Sequence, residues 1–264
     1  MAPTVVLVHG AFGNASGWCR VSRELVLRGH RTLAVDLPGH GDDRRALSAL
    51  STDDDVTALT AVLRRAKEHG PVVLVGHSRG GLAITAVANT APELIDHLVY
   101  ASAWCCVDRT PTEYGTTPEY AGARFEELGP ALAVGDPAAL GLVRLDWRTS
   151  EPAVLDLAQE ILLADGTRAD LRIWLDAMGS DETLLLDDDL VRVHPASWGR
   201  VPHTYVRATE DRALPVGLQD RFVAEADAAT PGNPFRTVTI PTSHLGLQVH
   251  PDPVVDALED VLVT

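Results

Sequence analysis

The sequence predicts an α/β fold: a mostly parallel, twisted sheet with helices on both faces, interrupted by one inserted helical segment. Short β-branched runs alternate with helix-like segments over the first 103 residues. The motif Gly-His-Ser-Arg-Gly at positions 76–80 joins a predicted strand to a predicted helix. The alternation stops near residue 104 and resumes near residue 201.

The first part of the chain supplies the elements of a βαβ arrangement. The run at residues 4–8 is apolar without alternation, as expected of a strand buried on both faces. Strands that alternate with helices imply parallel order and right-handed crossovers. The predicted strands are 4–8, 31–35, 72–75 and 97–103, and the predicted helices are 16–28, 53–69 and 80–90.

The middle of the chain lacks a strong strand pattern and carries helical patterns at residues 151–164 and 168–178. After it, strands are predicted at 203–208 and 236–240, with helices at 215–228 and from residue 253. We therefore predict a core formed by residues 1–103 and 201–264, and a helical cap formed by residues 104–200.

Composition excludes several classes of partner. The formal net charge of −15 argues against nucleic acid and anionic membranes. Neither a signal-peptide pattern nor an apolar run of membrane-spanning length is present, which predicts a cytoplasmic protein. Three cysteines, Cys19, Cys105 and Cys106, predict reduced thiols rather than a disulfide framework or a zinc site.

Two acidic runs, at residues 53–55 and 187–189, are candidate metal ligands. Carboxylates are also common at helix N-termini and on solvated faces. We interpret both runs in this second way and predict no metal site. They also lie outside the motif loops in sequence, so they give no indication of substrate charge.

Ser78, the middle residue of the glycine-serine motif, is the predicted nucleophile. A serine on a sharp strand-to-helix turn exposes its hydroxyl above the sheet, and the flanking glycines avoid collisions with neighbouring backbone. The alternative is a phosphate-binding turn, but the glycine spacing and the lysine of such loops are absent.

A serine hydroxyl needs a base, and a base needs an orienting carboxylate. His244 follows the strand at 236–240 and is the predicted base; His250 is the alternative. Asp211, just past the strand at 203–208, is the predicted acid, so that serine, acid and base follow one another in the order typical of nucleophile-elbow enzymes. Glu210 and, more remotely, Asp108 remain alternative acids.

An oxyanion hole requires two backbone N–H donors. The N–H of Arg79, directly after the nucleophile, is one candidate, and the N–H of Ala11 in the loop after the first strand is the other. His9 could act as a second base, but we predict that it orders this loop by hydrogen bonding.

These segments together resemble the α/β-hydrolase superfamily, within the branch that holds plant methyl-ester esterases, hydroxynitrile lyases and their bacterial relatives. The resemblance covers both flanks of the chain but not residues 104–200. The matching segments are residues 6–12 (Val-Leu-Val-His-Gly-Ala-Phe), 36–41 (Asp-Leu-Pro-Gly-His-Gly), 76–80, 209–212 (Thr-Glu-Asp-Arg) and the His244 loop.

The resemblance implies two chemistries. The lyases carry a threonine at the position of Gly10 and a lysine at the position of Leu245, so the residues present here favour ester hydrolysis. The dehalogenases and most epoxide hydrolases of the superfamily use an aspartate nucleophile, which Ser78 excludes.

We therefore expect a serine hydrolase that acts on a small-molecule ester, lactone or thioester through an acyl-enzyme, without a metal or an organic cofactor. Two alternatives keep the same triad: a ligand sensor, and a natural-product tailoring enzyme such as a thioesterase, lactonase, cyclase or dehydratase. The sequence leaves open whether the protein is a monomer or a homodimer.

The substrate pocket is expected between the sheet and the cap. Phe12 and Trp104 lie at predicted strand ends and are the first candidates for its lining. The further candidates are Tyr114, Tyr120 and Trp174. Cys105 and Cys106 either line the entrance or are inert core residues.

Overall fold

The computed structural model describes residues 2–262 and contains a six-stranded parallel sheet in the order β2-β1-β3-β4-β7-β8. The predicted α/β class is confirmed. The eight strands of the described residues are β1 Thr4–Val8, β2 Arg31–Val35, β3 Val72–Ser78, β4 His97–Ala103, β5 Leu142–Arg144, β6 Asp181–Thr183, β7 His203–Ala208 and β8 Arg236–Ile240.

Helices cover both faces of this sheet, which is why its central strands are apolar on both sides. Along β1, Val5 and Leu7 pack against α1 and α11, while Val6 and Val8 join the core under α2, α3 and α9. The α-helices are α1 Cys19–Leu27, α2 Thr52–Lys67, α3 Gly80–Thr90, α4 Pro111–Tyr114, α5 Phe125–Leu132, α6 Pro137–Leu140, α7 Pro152–Leu162, α8 Arg168–Ala177, α9 Val216–Ala229, α10 Gly246–Val249 and α11 Pro251–Leu262.

The segment between β4 and β7 contains α4 to α8 and a short antiparallel pair, in which Leu142 of β5 faces Thr183 of β6. The sequence showed no strong strand pattern here and did not predict this pair. Each of these strands has three residues, which is too short to produce a recognisable alternation of apolar and polar side chains.

Parallel strands bring their carboxyl ends to one edge of the sheet, where the predicted motif loops meet. The register between β3 and β4 shifts at this edge: His77 faces Ala101, but Ser78 faces Ala103, so Ser102 is an extra residue. Within residues 2–262, no helix combines the length and apolar character needed to cross a membrane.

Candidate active site

Ser78 is the last residue of β3 and adopts a left-handed backbone conformation, with φ of 52°. Helix α3 begins two residues later at Gly80. A Cβ at Gly76 would lie 2.8 Å from the Gly80 carbonyl oxygen, and a Cβ at Gly80 would lie 2.6 Å from the His9 carbonyl oxygen. These contacts are with backbone, so both positions require glycine, as the sharp turn at Ser78 predicts.

His244 and Asp211 form a buried pair beside this turn. His244 Nδ1 lies 2.5 Å from Asp211 Oδ2, and the Asp211 side chain has no exposed surface. Because a carboxylate only accepts hydrogen bonds, Nδ1 carries the proton and Nε2 keeps its lone pair. This is the tautomer that a general base needs in order to take a proton from a serine hydroxyl.

The alternative acids and the alternative base lie elsewhere. Glu210 is exposed, and so is Asp108 beyond the end of β4. His250 is exposed and its Nε2 bonds the Asp165 carbonyl oxygen at 3.1 Å. The structure therefore brings Asp211, rather than Glu210 or Asp108, to His244.

Ser78 and His244 face the same cavity. Among residues 2–262, no hydrogen bond joins the Ser78 hydroxyl to the His244 ring. Such bonds are often long in free enzymes and shorten when a substrate is bound. The arrangement is therefore compatible with proton transfer from Ser78 to His244.

The two backbone donors predicted for an oxyanion also line this cavity. Ala11 lies in the loop after β1, and Arg79 follows the nucleophile at the start of α3. No hydrogen bond within residues 2–262 engages the N–H of either residue. Both donors are therefore available to an oxygen that develops negative charge at Ser78.

His9 holds the loop that carries Ala11. Its Nε2 accepts a hydrogen bond from the Leu37 N–H at 3.0 Å, so its Nδ1–H donates to the Gly10 carbonyl oxygen at 2.8 Å. Burial, together with the nearby His40, lowers the pKa of His9 to about 4. A neutral ring with both nitrogens engaged orders the loop and leaves no lone pair for catalysis.

His77, which the sequence analysis left without a role, supports the base. Its Nε2 lies 3.0 Å from the His244 carbonyl oxygen, and the two ring centroids are 4.5 Å apart. Burial and the adjacent His244 lower the pKa of His77 well below its usual value. The neutral His77 ring therefore donates to the loop that carries His244 without adding a positive charge beside it.

A group of buried charged residues contacts the loop after β1 that carries Ala11, which is the predicted oxyanion loop. Glu182 of β6 accepts hydrogen bonds from the Phe12 N–H at 2.9 Å and from His40 Nε2 at 3.2 Å. The Arg79 guanidinium lies 3.5 Å from Glu182 and 3.9 Å from Asp55. No local sequence pattern predicted this role of Glu182, because the residue comes from the inserted segment.

The charged residues in this group shift one another's pKa values. Burial alone would raise the pKa of Glu182, but Arg79 and His40 outweigh it and hold that pKa at about 2. Burial raises the pKa of Asp55 to about 6 despite the neighbouring Arg79. The acidic run at residues 53–55 lies in the first turn of α2, as predicted, but Asp55 is buried beside Arg79, so the prediction of a solvated face is wrong for Asp55.

The inserted segment is attached to the loops that carry the base and the acid. Asp165, between α7 and α8, accepts hydrogen bonds from Thr242 Oγ1, Ser243 Oγ and, at 3.2 Å, the Ser243 N–H. The Leu245 N–H donates to the Leu162 carbonyl oxygen at 2.8 Å, and the Arg124 N–H donates to the Arg212 carbonyl oxygen at 2.9 Å. The segment therefore takes part in positioning the site.

The cavity above Ser78 has a volume of about 320 Å³ and a mainly apolar wall. It includes four of the five predicted aromatic residues, together with Phe125 and Trp147, which the sequence analysis did not select. The apolar lining side chains are Phe12, Leu82, Trp104, Tyr120, Phe125, Trp147, Leu162, Trp174, Met178, Leu186, Leu214 and Leu245.

Tyr114 does not line this cavity, and its prediction as a pocket residue is wrong. Its ring packs edge-on against Phe222 at 4.9 Å, and its hydroxyl donates to Glu225. Cys105 and Cys106 are also core residues, and burial raises the pKa of both thiols. They are inert small side chains rather than entrance residues.

The chain is similar to known proteins in sequence and in fold. The sequence profile of the alpha/beta hydrolase family matches residues 5–257. The chain is 26% identical to a pyrethroid hydrolase of Sphingobium wenxiniae, over 97% of this chain and 86% of that protein. It is 30% identical to Methylesterase 1 of Arabidopsis thaliana, over 80% of this chain and 79% of that protein. A crystal structure of polyneuridine aldehyde esterase superposes with a TM-score of 0.77, covering 99% of both chains at 23% identity.

The chain therefore belongs to the alpha/beta hydrolase family. The relatives also confirm the branch that the sequence motifs predicted, which joins plant esterases to bacterial ones. The predicted class of enzyme, an esterase-type hydrolase, is confirmed with them.

Proposed function

We propose that this protein is a serine esterase that hydrolyses an ester of a small, largely apolar molecule through Ser78, His244 and Asp211. The observation that carries the proposal is the buried His244–Asp211 pair, held beside a serine in a left-handed turn. A buried carboxylate that fixes the tautomer of a histidine next to a strained serine is the arrangement that activates a hydroxyl nucleophile.

The reaction would proceed in two halves. Ser78 Oγ attacks the ester carbonyl carbon while His244 Nε2 takes its proton, and the N–H groups of Ala11 and Arg79 bind the oxyanion. His244 then protonates the departing alcohol, leaving an acyl group on Ser78. Water, activated by His244, attacks this acyl-enzyme and releases the acid. Asp211 stabilises the positive charge of the His244 imidazolium in both halves of the reaction.

The cavity indicates the kind of substrate. A volume of about 320 Å³ lies at the lower end of the range for small-ligand pockets, and the wall is mainly aromatic and aliphatic. We propose that residues 104–200 act as a cap which supplies half of this wall and limits access of water. The best substrates would then be compact esters with an apolar or aromatic acyl or alcohol group.

Lyase chemistry has less support. Gly10 provides no hydroxyl, and Leu245 provides no cation beside His244. The apolar side chain of Leu245 is instead buried in the core of the inserted segment. A departing anion would find no charged partner at this position.

A panel of aryl esters of increasing acyl length tests the proposal. The wild-type protein should turn over short and aromatic esters many times, and Ser78→Ala should lower kcat by roughly 10⁴- to 10⁶-fold while retaining the fold by circular dichroism. Retention of hydrolysis in Ser78→Ala would disprove the assignment. A single slow turnover would instead indicate a sensor, and a reactive Ser78 without turnover of any panel ester would indicate a dedicated tailoring enzyme.

A further inference from the structure

Ser102 occupies an unusual position next to the triad. It is the extra residue in the β3–β4 register, it is fully buried, and its φ of 41° places a non-glycine residue in the left-handed region. Such a conformation is unfavourable and persists only where surrounding contacts maintain it. Bulges of this kind re-aim a side chain at the end of a strand.

The bulge aims the Ser102 hydroxyl at the triad acid. Ser102 Oγ donates to Asp211 Oδ2 at 2.6 Å, on the same oxygen that receives the His244 ring at 2.5 Å. The other oxygen, Oδ1, accepts the N–H groups of Ala213 at 2.8 Å and Leu214 at 2.7 Å. All four acceptor sites of the buried carboxylate are thus filled.

We infer that Ser102 is a positioning residue of the triad, acting through Asp211 rather than on the substrate. Its hydrogen bond fixes the rotamer of Asp211 from the neighbouring strand. The same bond draws charge from Oδ2, which weakens the hold of the carboxylate on the His244 proton. Ser102 therefore acts on His244 through the carboxylate oxygen that both side chains contact.

Two variants distinguish the loss of the Ser102 hydroxyl from the relief of its backbone strain. Ser102→Ala removes the hydroxyl and keeps the strained Cβ, whereas Ser102→Gly removes the hydroxyl and tolerates the positive φ. Thr204→Val is the matched control, because Thr204 is a buried hydroxyl on β7 that bonds His97 at 2.9 Å and does not contact the triad. The other titratable groups around the pair, His77 on β3 and Tyr205 on β7, are unchanged in all three variants.

The direct test is titration of the His244 ring by NMR, with assignment from the loss of its signals in His244→Ala. The midpoint should be higher in both Ser102 variants than in the wild type, because a charge-assisted hydrogen bond has been removed from Oδ2, and unchanged in Thr204→Val. Coincident titrations of wild type, Ser102→Ala and Ser102→Gly would overturn the inference. This measurement needs no substrate, so it stands apart from the proposed function.

The kinetic readout rests on the proposed function. If the wild type hydrolyses esters, the acidic limb of its kcat/KM profile should move to higher pH in both Ser102 variants, and kcat should fall about tenfold with little change in KM. An unmoved acidic limb in both variants would contradict the role of Ser102. If the wild type hydrolyses no ester, the proposed function fails, and the NMR titration alone decides on Ser102.

Discussion

At the scale of single residues, three non-glycine residues of the described chain have positive φ angles, and all three belong to the site: Phe12, Ser78 and Ser102. Ser78 and Ser102 lie at the carboxyl ends of β3 and β4, and Phe12 lies in the loop that follows β1. Left-handed backbone is unfavourable for L-residues and persists only where surrounding contacts maintain it. The three residues are the proposed nucleophile, a residue of the loop that carries Ala11, and the residue that donates to Asp211.

Replacement of Asp211 by Asn tests the identity of the acid. The amide would favour the wrong tautomer of His244, so kcat should fall by about 10⁴-fold with the fold intact. Glu210→Gln is the matched control, since Glu210 is the adjacent but exposed carboxylate, and its kcat should stay within about twofold of wild type. Comparable losses in the two variants, measured with the same aryl ester, would argue against the buried pair.

At the scale of elements, the inserted segment and the oxyanion loop are joined through two backbone contacts of Phe12. The Phe12 N–H donates to Glu182 at 2.9 Å, and its carbonyl oxygen accepts from the Gly179 N–H at 2.8 Å. The φ of 57° at Phe12 is compatible with both contacts at once. The position of the neighbouring Ala11 N–H is thus determined by β6 as well as by the core sheet.

Glu182→Gln should therefore weaken catalysis without touching the triad. Loss of the charge loosens both the Phe12 contact and the pairing with Arg79, and a small displacement of the oxyanion donors should lower kcat by about 10- to 100-fold. Asp181→Asn is the control, because Asp181 is the neighbouring residue of β6 and pairs with Arg144 at the surface. This variant should keep the kcat of the wild type. A Glu182→Gln protein that loses stability to urea but keeps its kcat would show that the contact is purely structural.

The sequence predicted the sheet well because its strands are short β-branched runs between clear turn residues. The bounds of β1, β2, β4, β7 and β8 agree with the prediction. Strand β3 extends three residues further than predicted, to the sharp turn at Ser78. Ser78, His244 and Asp211 were selected because each follows a strand end. The sequence did not indicate Ser102, because a register shift between two strands leaves no local pattern. Nor did it indicate Glu182, because that residue contacts Phe12 across 170 residues of sequence. Tyr114 was misassigned because aromatic content alone cannot separate a pocket from a core.

At the scale of the whole molecule, buried neutral histidines make stability depend on pH. Burial lowers the pKa of His9 to about 4 and also holds the pKa of His77 well below its usual value, while both titrate near 6.5 when unfolded. As the pH falls from 6.5 towards 4, these two histidines therefore bind protons in the unfolded chain but not in the folded chain. Asp55, with its pKa raised to about 6, acts in the opposite sense over part of this range.

The free energy of unfolding should accordingly fall between pH 6.5 and pH 4, with His9 alone contributing up to about 3 kcal/mol. Urea unfolding at pH 7, 5.5 and 4.5 measures this slope. His9→Gln cannot bind a proton in either state, so its slope should be shallower than that of the wild type. A constant free energy of unfolding across this range, or equal slopes in the two proteins, would contradict the assignment of a buried neutral His9.

If Ser78 is an activated nucleophile, it should react covalently with a fluorophosphonate. Intact mass spectrometry followed by peptide mapping should show one adduct per wild-type chain, on Ser78. The label should persist in Ser150→Ala, which alters an exposed serine, and disappear in Ser78→Ala and His244→Ala. A folded wild-type protein that takes up no label, or an adduct that remains in Ser78→Ala, would disprove the proposed role of Ser78.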